Sequence, residues 1–374
     1  MGILSRQITD TFTRLPHPEL QKDACINQRQ RRMSCDACAR ICPEQVFSGV
    51  PATAPDWTRC TDCGLCVSAC PSRALAPSCE SHKKYLEGRD LSRTVLIGCK
   101  DDPQECHLKV ACLASLPWEL IAYLALHTKV VLYLNACPQC TRTGNWEQLR
   151  VNLRQVMIFL GEEEYSRRIL LLQGRTYEEE IPSFSRRHLF SQLTKTMTRA
   201  ALDLVPKLPG EKDGDGDGLI YRYLLSQALA EHTGDAGASP RVQSMPESPA
   251  VSGSNSASVH RTYTVSLPQF TDQCYGCGSC ITLCPGKALQ LSEEAGGLRT
   301  MYITPWRCSA CGLCETVCRQ NGVTAPRPFA LERMSIQPLV NIHTVSCSVC
   351  GKPVPPKNTD GMCVICRQRA RRKR

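Results

Sequence analysis

Twenty-six cysteines stand in a chain of 374 residues, and they are grouped rather than scattered. Two runs carry the densest spacing. One reads CYGCGSCITLCP from Cys274 to Pro285, then CSACGLCETVC from Cys308 to Cys318. The other reads CDACARICP from Cys35 to Pro43, then CTDCGLCVSACP from Cys60 to Pro71. A cuboidal iron–sulfur cluster needs four thiolates converging from a small volume. Cysteines spaced x2, x2 wrap three thiolates around one cluster, and the fourth reaches across to its neighbour. Zinc held by CxxC pairs is the competing reading. Eight cysteines in this order favour iron–sulfur.

The second octet closely resembles bacterial two-cluster ferredoxins. Between its halves, KALQLSEEAGGLRTMYITPWRC supplies two short strands around a Gly-Gly turn, which fits that fold. The resemblance implies that Cys274, Cys277, Cys280 and Cys318 hold one [4Fe–4S] cluster, and that Cys308, Cys311, Cys314 and Cys284 hold the other. Arg319 replaces the second proline of the pattern. The first octet departs further. Cys60, Cys63, Cys66 and Cys70 form an intact half, but Arg32 stands where the other half should begin. Cys25 lies upstream and could loop back. The implied sets are Cys25, Cys35, Cys38 and Cys70 for one cluster, and Cys60, Cys63, Cys66 and Cys42 for the other. If Cys25 is instead a free thiol, a three-iron cluster becomes the alternative.

A third group of cysteines sits in a different setting. VLIGC (95–99) and LKVAC (108–112) read as strands ending in cysteine. Ser115 and Pro117 open a helix over PWELIAYLAL, with Leu120, Ile121 and Leu124 on one face. KVVLYL follows as a strand and runs into NACPQC. A second helix is predicted from about Asn145 to Leu160, with Leu149, Leu153, Val156 and Leu160 as its stripe and Gly161 as its stop. RRILLL closes the unit as a strand. Strands alternating with helices predict a parallel α/β sheet. Ligands of such sheets gather at the carboxyl ends of strands, where Cys99, Cys112, Cys137 and Cys140 fall.

Three readings stay open for these residues. A thioredoxin-like dithiol also places CxxC between strand and helix, but it gives Cys99, Cys106 and Cys112 no role. Zinc or inert thiols are the second. The third rests on CLASLPWELIAYLAL…VVLYLNACPQC, which resembles the small delta subunit of F420-non-reducing hydrogenase. That family binds a [2Fe–2S] cluster and links hydrogenase to a heterodisulfide-reductase partner. The spacing of Cys137 and Cys140 is shorter than the family's. His107, beside Cys106, reads as a surface histidine, because no paired CxH…CxxH pattern accompanies it.

The C-terminal CSVCG (347–351) and CVIC (363–366) form a CxxC…CxxC pair. Cys347, Cys350, Cys363 and Cys366 would give a tetrahedral four-thiolate site of zinc-ribbon type, with rubredoxin-type iron as runner-up. A core this small needs its metal to fold. RQRARRKR follows. It could touch nucleic acid, but no aromatic residue is interleaved, and a solvated end that docks an acidic partner is the preferred reading.

The remaining features set the frame. The N-terminus lacks an apolar export signal, and Leu113–Leu134 is broken by Glu119, His127 and Lys129, so no membrane span is expected. Paired thiols without export point to a reducing cytoplasm. The formal charge of +10 omits the clusters. Each [4Fe–4S] centre with four thiolates carries roughly −2 when oxidised, which offsets most of the excess. SRRHLF at 185–190 is internal and is read as a helix start, with Leu189, Phe190, Leu193, Met197 and Ala201 buried. DGDGDG at 213–218 fails as a calcium loop, since its twelfth position is Leu224.

The expected architecture is multidomain, α+β with α/β. Residues 1–80 form an N-terminal ferredoxin-like domain and 90–175 the α/β module. A helical segment spans 183–230, a Ser/Pro/Gly/Ala-rich linker 231–262, a second ferredoxin domain 263–335 and the ribbon-like tail 343–374. The expected function is single-electron transfer through four [4Fe–4S] clusters, with a possible [2Fe–2S] centre and a zinc. The partners would be a dehydrogenase, a hydrogenase or a heterodisulfide-reductase-like subunit. No paired carboxylates, nucleotide loop or Ser/His/Asp pattern marks a substrate site, so an oxidoreductase component is expected rather than a stand-alone enzyme. A disulfide reductase using the central cysteines and a redox-sensing nucleic-acid binder are the alternatives.

Overall fold

The computed structural model describes residues 17–30, 34–47, 55–77, 93–142, 144–177, 219–232, 262–293, 298–354 and 360–372. The 185–201 helix, the 213–218 run, Arg32, the Gly296–Gly297 turn and nearly all of the 231–262 linker lie outside them. The chain forms two compact units. One comprises Met1–Gln21, Cys35–Cys70 and Leu75–Tyr221; the other comprises Lys22–Ser34, Pro71–Ala74 and Arg222–Arg374.

The first part of the chain is built from short pieces: β1 (Glu19–Leu20), α1 (Ile26–Arg29), α2 (Ala37–Ile41), α3 (Leu65–Ala69) and β2 (Leu75–Ala76). β1 and β2 pair antiparallel. α1 belongs to the second unit, where the Arg29 guanidinium donates to the Thr282 carbonyl at 3.1 Å.

A parallel sheet follows. Its elements are β3 (Val95–Cys99), β4 (Leu108–Val110), α4 (Trp118–His127), β5 (Val130–Tyr133), α5 (Asn145–Leu160), α6 (Glu162–Arg168) and β6 (Ile169–Leu172). The strand order is β4-β3-β5-β6, all parallel. All four residues of β5 are buried, as a strand covered on both faces should be. α4 is buried from Glu119 to Leu126, not on one face only, because it packs against both β5 and α5. Each leucine enclosed there contributes roughly 1.5–3 kcal/mol. α5 buries the expected Leu149, Leu153, Val156 and Leu160, and Gly161 ends it at φ 84°. β4 stops at Val110, so Cys112 is not a strand residue. It caps a 3-10 turn over Leu113–Ser115.

That turn is where α3 packs. The Ser68 hydroxyl donates to the Ala114 carbonyl at 2.6 Å. The buried Asn152 amide on α5 donates to the carbonyls of Ala114 and Leu116 at 3.2 and 2.9 Å. Backbone groups that the turn leaves unpaired are thereby satisfied from both sides.

The second unit contains α7 (Ile220–His232) from Arg222 on, then β7 (Tyr263–Phe270), α8 (Ser279–Leu283), β8 (Leu289–Glu293), β9 (Leu298–Ile303), α9 (Leu313–Thr316), β10 (Val323–Leu331) and β11 (Gln337–His343). β7 and β10 pair antiparallel. β8 and β9 are the expected hairpin strands, and β11 adds to the outer edge of β9. β11 covers 337–342, which the sequence ranges left between domains, and ends on the first residue of the tail range. β12 (Val345–Ser346), β13 (Pro353–Val354) and α10 (Val364–Arg372) complete the tail. Among the described residues no helix is long and apolar enough to cross a membrane.

Candidate metal centres

In the second unit the cysteines of the Cys274–Cys318 octet sit on two loop–helix arms, one leading into α8 and one into α9. Each arm turns twice through positive φ: Gly276 (71°) and Gly278 (79°) on the first, Ala310 (57°) and Gly312 (76°) on the second. These turns fold three cysteines of each arm about one point. The fourth cysteine of each arm follows the helix. Three residues later a non-glycine again takes positive φ, Lys287 (51°) after Cys284 and Asn321 (52°) after Cys318. The strain has a use, because it aims the next amide at the sulfur. Ala288 N–H donates to Cys284 Sγ at 3.3 Å, and Gly322 N–H donates to Cys318 Sγ at 3.2 Å. Such amide–sulfur bonds stabilise thiolates and tune cluster potentials.

The arms exchange their fourth cysteines. A Cβ on Gly322 would lie 2.9 Å from both N and Cα of Cys274, so Cys318 is brought against the Cys274 arm. A cavity beside it is lined by Cys284, Cys308, Cys311 and Cys314 together. Burial pushes the Cys308 thiol up to about 12, against the pull of the Arg222 guanidinium. Burial and neighbouring thiols push Cys280 up to about 12, and Cys314 is driven well up by the same causes. Four thiols so crowded cannot all ionise unless a cationic core joins them, so the donor set fits a thiolate-bound cluster. Arg222, 4% exposed, donates through Nε to the Trp306 carbonyl at 3.0 Å and through Nη2 to Pro305 at 3.1 Å. Tyr223 meets Trp306 edge-on at 5.3 Å. Nothing in the spacing of cysteines signals this helix, which precedes the octet by some 40 residues.

The first octet repeats the device with one departure. Asp62 (49°) and Gly64 (72°) make the same two turns before α3, and Gln45 (51°) and Arg73 (57°) take the strained place after Cys42 and Cys70. Asp62 N–H donates to Cys60 Sγ, and Val46 N–H to Cys42 Sγ, each at 3.4 Å. A cavity is lined by Cys42, Cys60, Cys63 and Cys66. Trp57 also lines it, stacked on His17 at 4.4 Å and met edge-on by Phe47. Burial drives the Cys66 thiol well up, reinforced by Cys63, Cys42, Cys38 and Cys60. In the other arm Asp36, at φ −114°, replaces the glycine turn that follows the second cysteine elsewhere. Cys25 belongs to the Lys22–Ser34 segment of the second unit, and Cys35, Cys38 and Cys70 belong to the first.

The central cysteines gather at the carboxyl end of the parallel sheet. Cys99 ends β3, Cys112 caps the turn after β4, and Cys137 and Cys140 bound a 3-10 turn after β5. Burial pushes the Cys137 thiol up to about 12, with Cys99, Cys112 and Cys140 adding to it. Burial likewise pushes Cys112 up to about 11. Cys106 stands one step aside: its Sγ packs where a Cβ on Gly98 would be, 2.5 Å away, and donates to the Gln104 carbonyl. His107 accepts the Leu96 amide through Nδ1 and is exposed, as expected. The buried Asp102 carboxylate accepts from Asn135 N, Asn135 Nδ2 and Gln104 N at 3.0 Å each. It thereby clamps the loop after Cys99 to the loop before Cys137. Sequence reasoning missed Asp102 because its partner lies 33 residues away. α5 starts at Asn145, so the CxxC is not at a helix N-terminus. A thioredoxin-like dithiol lacks its activating dipole here.

In the tail, Cys347, Cys350, Cys363 and Cys366 bring their sulfurs within 4.8 Å of one another. Cys350 and Cys363 are 3.6 Å apart. Zn–S bonds of about 2.3 Å in a tetrahedron imply sulfur–sulfur edges of about 3.8 Å, so the set has single-ion dimensions. Backbone amides, chiefly that of Cys363 at 3.2 Å, lower the Cys347 thiol to about 6. Cys363 is also lowered, by the Cys366 amide. Asp360 and Arg367 pair at 2.6 Å beside the site.

Two ferredoxin-type domains are recognised by comparison with known families. A 4Fe-4S dicluster domain matches residues 273–321, and a 4Fe-4S binding domain matches residues 54–76. The second match covers only the intact half of the first octet. No curated protein matches the chain.

Proposed function

We propose that this chain is an iron–sulfur electron-transfer protein that passes single electrons between a donor oxidoreductase and an acceptor, as a component or partner of a redox complex. The observation that carries the reading is the pair of cavities lined by four cysteines each, Cys42, Cys60, Cys63 and Cys66 in one unit and Cys284, Cys308, Cys311 and Cys314 in the other. When bound, [4Fe–4S] clusters supply one-electron chemistry at low potential. Cys274, Cys277, Cys280 and Cys318 are proposed to hold a further cluster, and Cys25, Cys35, Cys38 and Cys70 a fourth. Arg222, the sulfur-directed amides and the Trp57 stack would set potentials and keep water out.

The central Cys99, Cys112, Cys137 and Cys140 are proposed to hold a [2Fe–2S] centre, with Cys106 beside it. The tail thiols are proposed to hold a structural zinc. The donor or acceptor is a dehydrogenase, a hydrogenase or a heterodisulfide-reductase-like subunit. The deciding measurement is anaerobic purification with iron, sulfide and zinc analysis and EPR of the reduced form. About sixteen irons mean four cubanes, and about eighteen add the two-iron centre. A preparation without low-potential reducible iron would sink the proposal.

A further inference from the structure

Within the first unit, the two cysteine arms each press against the module that carries the central site, the Cys60–Cys66 arm at one place and the Cys35–Cys42 arm at another. A Cβ on Gly64, next to Cys63, would lie 2.8 Å from the Ser115 Cβ, three residues from Cys112. A Cβ on Gly144 would lie 3.0 Å from the Ile41 Cδ1, next to Cys42. Arg142 stands in this seam. Its side chain is 19% exposed, with Nη1 3.5 Å from the Asp101 carboxylate and 4.0 Å from Cys140 Sγ. Its charge acts through space on both Cys112 and Cys63.

We propose that Arg142 is a positioning residue that sets the reduction potentials of two adjacent thiol sites, the Cys42–Cys60–Cys63–Cys66 site and the central Cys112–Cys140 site, and biases electrons from the first toward the second. A fixed cation stabilises a centre more once an added electron has made it more negative, so it raises the potential. Arg142 bonds to Cys140 directly and reaches Cys63 only through space, so the central site is raised more. The transfer so biased is one electron lost by the first site and gained by the second, with no proton or co-reactant.

This inference rests on reading both sites as iron–sulfur. The test is an EPR-monitored potentiometric titration of the full chain, purified anaerobically, as wild type, Arg142→Gln, Arg142→Lys and Asp101→Asn. Arg142→Gln should lower the central midpoint by a tenfold weaker reduction equilibrium, about 59 mV for one electron. The adjacent cluster should fall by less, and the clusters of the 273–321 module should not move. Arg142→Lys should restore the wild-type values, and Asp101→Asn should shift them the opposite way. Unchanged midpoints in Arg142→Gln at full iron content overturn the proposal. If Arg142→Gln loses iron, the other two variants decide: an Asp101→Asn midpoint that falls or stays put overturns it. If the wild type carries only sixteen irons, the two-iron reading fails separately. The midpoint of the Cys63 cluster then decides on Arg142, and no shift there overturns it.

Discussion

The turn at Gly64 meets the side chain of Ser115 with no room for a methyl group between them. Gly64 also sits at φ 72°, where it starts α3. We expect Gly64→Ala to cost about 1–3 kcal/mol from backbone strain alone, and more from the clash. A thermal melt should show the loss in the first unit. Iron content should fall by the share of the Cys60 cluster, and a variant with wild-type melting and iron would contradict the packing described.

Arg222 is a buried cation on a helix that no cysteine motif marks. Arg222→Gln leaves the carbonyls of Pro305 and Trp306 short of donors, which should cost about 1–3 kcal/mol. It also withdraws positive charge from beside Cys308. The midpoint potential of the cluster proposed for Cys284, Cys308, Cys311 and Cys314 should become more negative, read by EPR titration, while stability is read by calorimetry.

Asp102 holds two loops together through two hydrogen bonds from Asn135 and braces its own loop through a third from Gln104. Asp102→Ala should cost about 2–3 kcal/mol, because bonds to a charged group are lost and the Asn135 amides are left wanting. The central centre should bind less iron, while iron in the 273–321 module is retained. Equal loss from both modules would mean general unfolding instead.

Cys25 is the one octet ligand proposed from outside the local motif. Cys25→Ser should leave three of the four clusters intact and produce a three-iron EPR signal in the oxidised protein. An unchanged spectrum would remove Cys25 from the ligand set.

The tail should depend on its metal. Cys347→Ser, or zinc removal by a chelator, should abolish amide-exchange protection in β12 and β13 while the full complement of about eighteen irons stays bound. Protection that survives zinc loss would show that the tail folds without it.

What was legible in the sequence was local. Cys60–Cys70 and Cys274–Cys284 announce themselves because a cluster collects three of its four thiolates within about seven residues of chain. α5 was readable to its last residue, since Leu149, Leu153, Val156 and Leu160 keep helical period and Gly161 ends it. The illegible features are pairings across sequence distance. Arg142 acts on Cys63 through space and Arg222 bonds to the Trp306 carbonyl only because tertiary packing puts them there, and no spacing rule encodes either. Helix α6 escaped notice because EEEYSRR has charge where an apolar stripe would be. Its support is Glu164 reaching Arg168 at 2.8 Å across one turn. Asp36 was passed over as well, although a missing glycine at that position marks the atypical arm as clearly as the missing cysteine does.

Helix α7 ends at His232 and β7 begins at Tyr263, and both ends of that interval belong to the same unit. The Ser- and Pro-rich sequence between them therefore joins two parts of one unit and is not a tether between two. Its length sets a ring-closure entropy, and each doubling costs only about 0.6 kcal/mol. A protease cut within it would free no module, since Arg222 and Tyr223 keep α7 seated on Trp306 without the covalent link. Insertions or epitope tags placed there should leave both cysteine arms undisturbed.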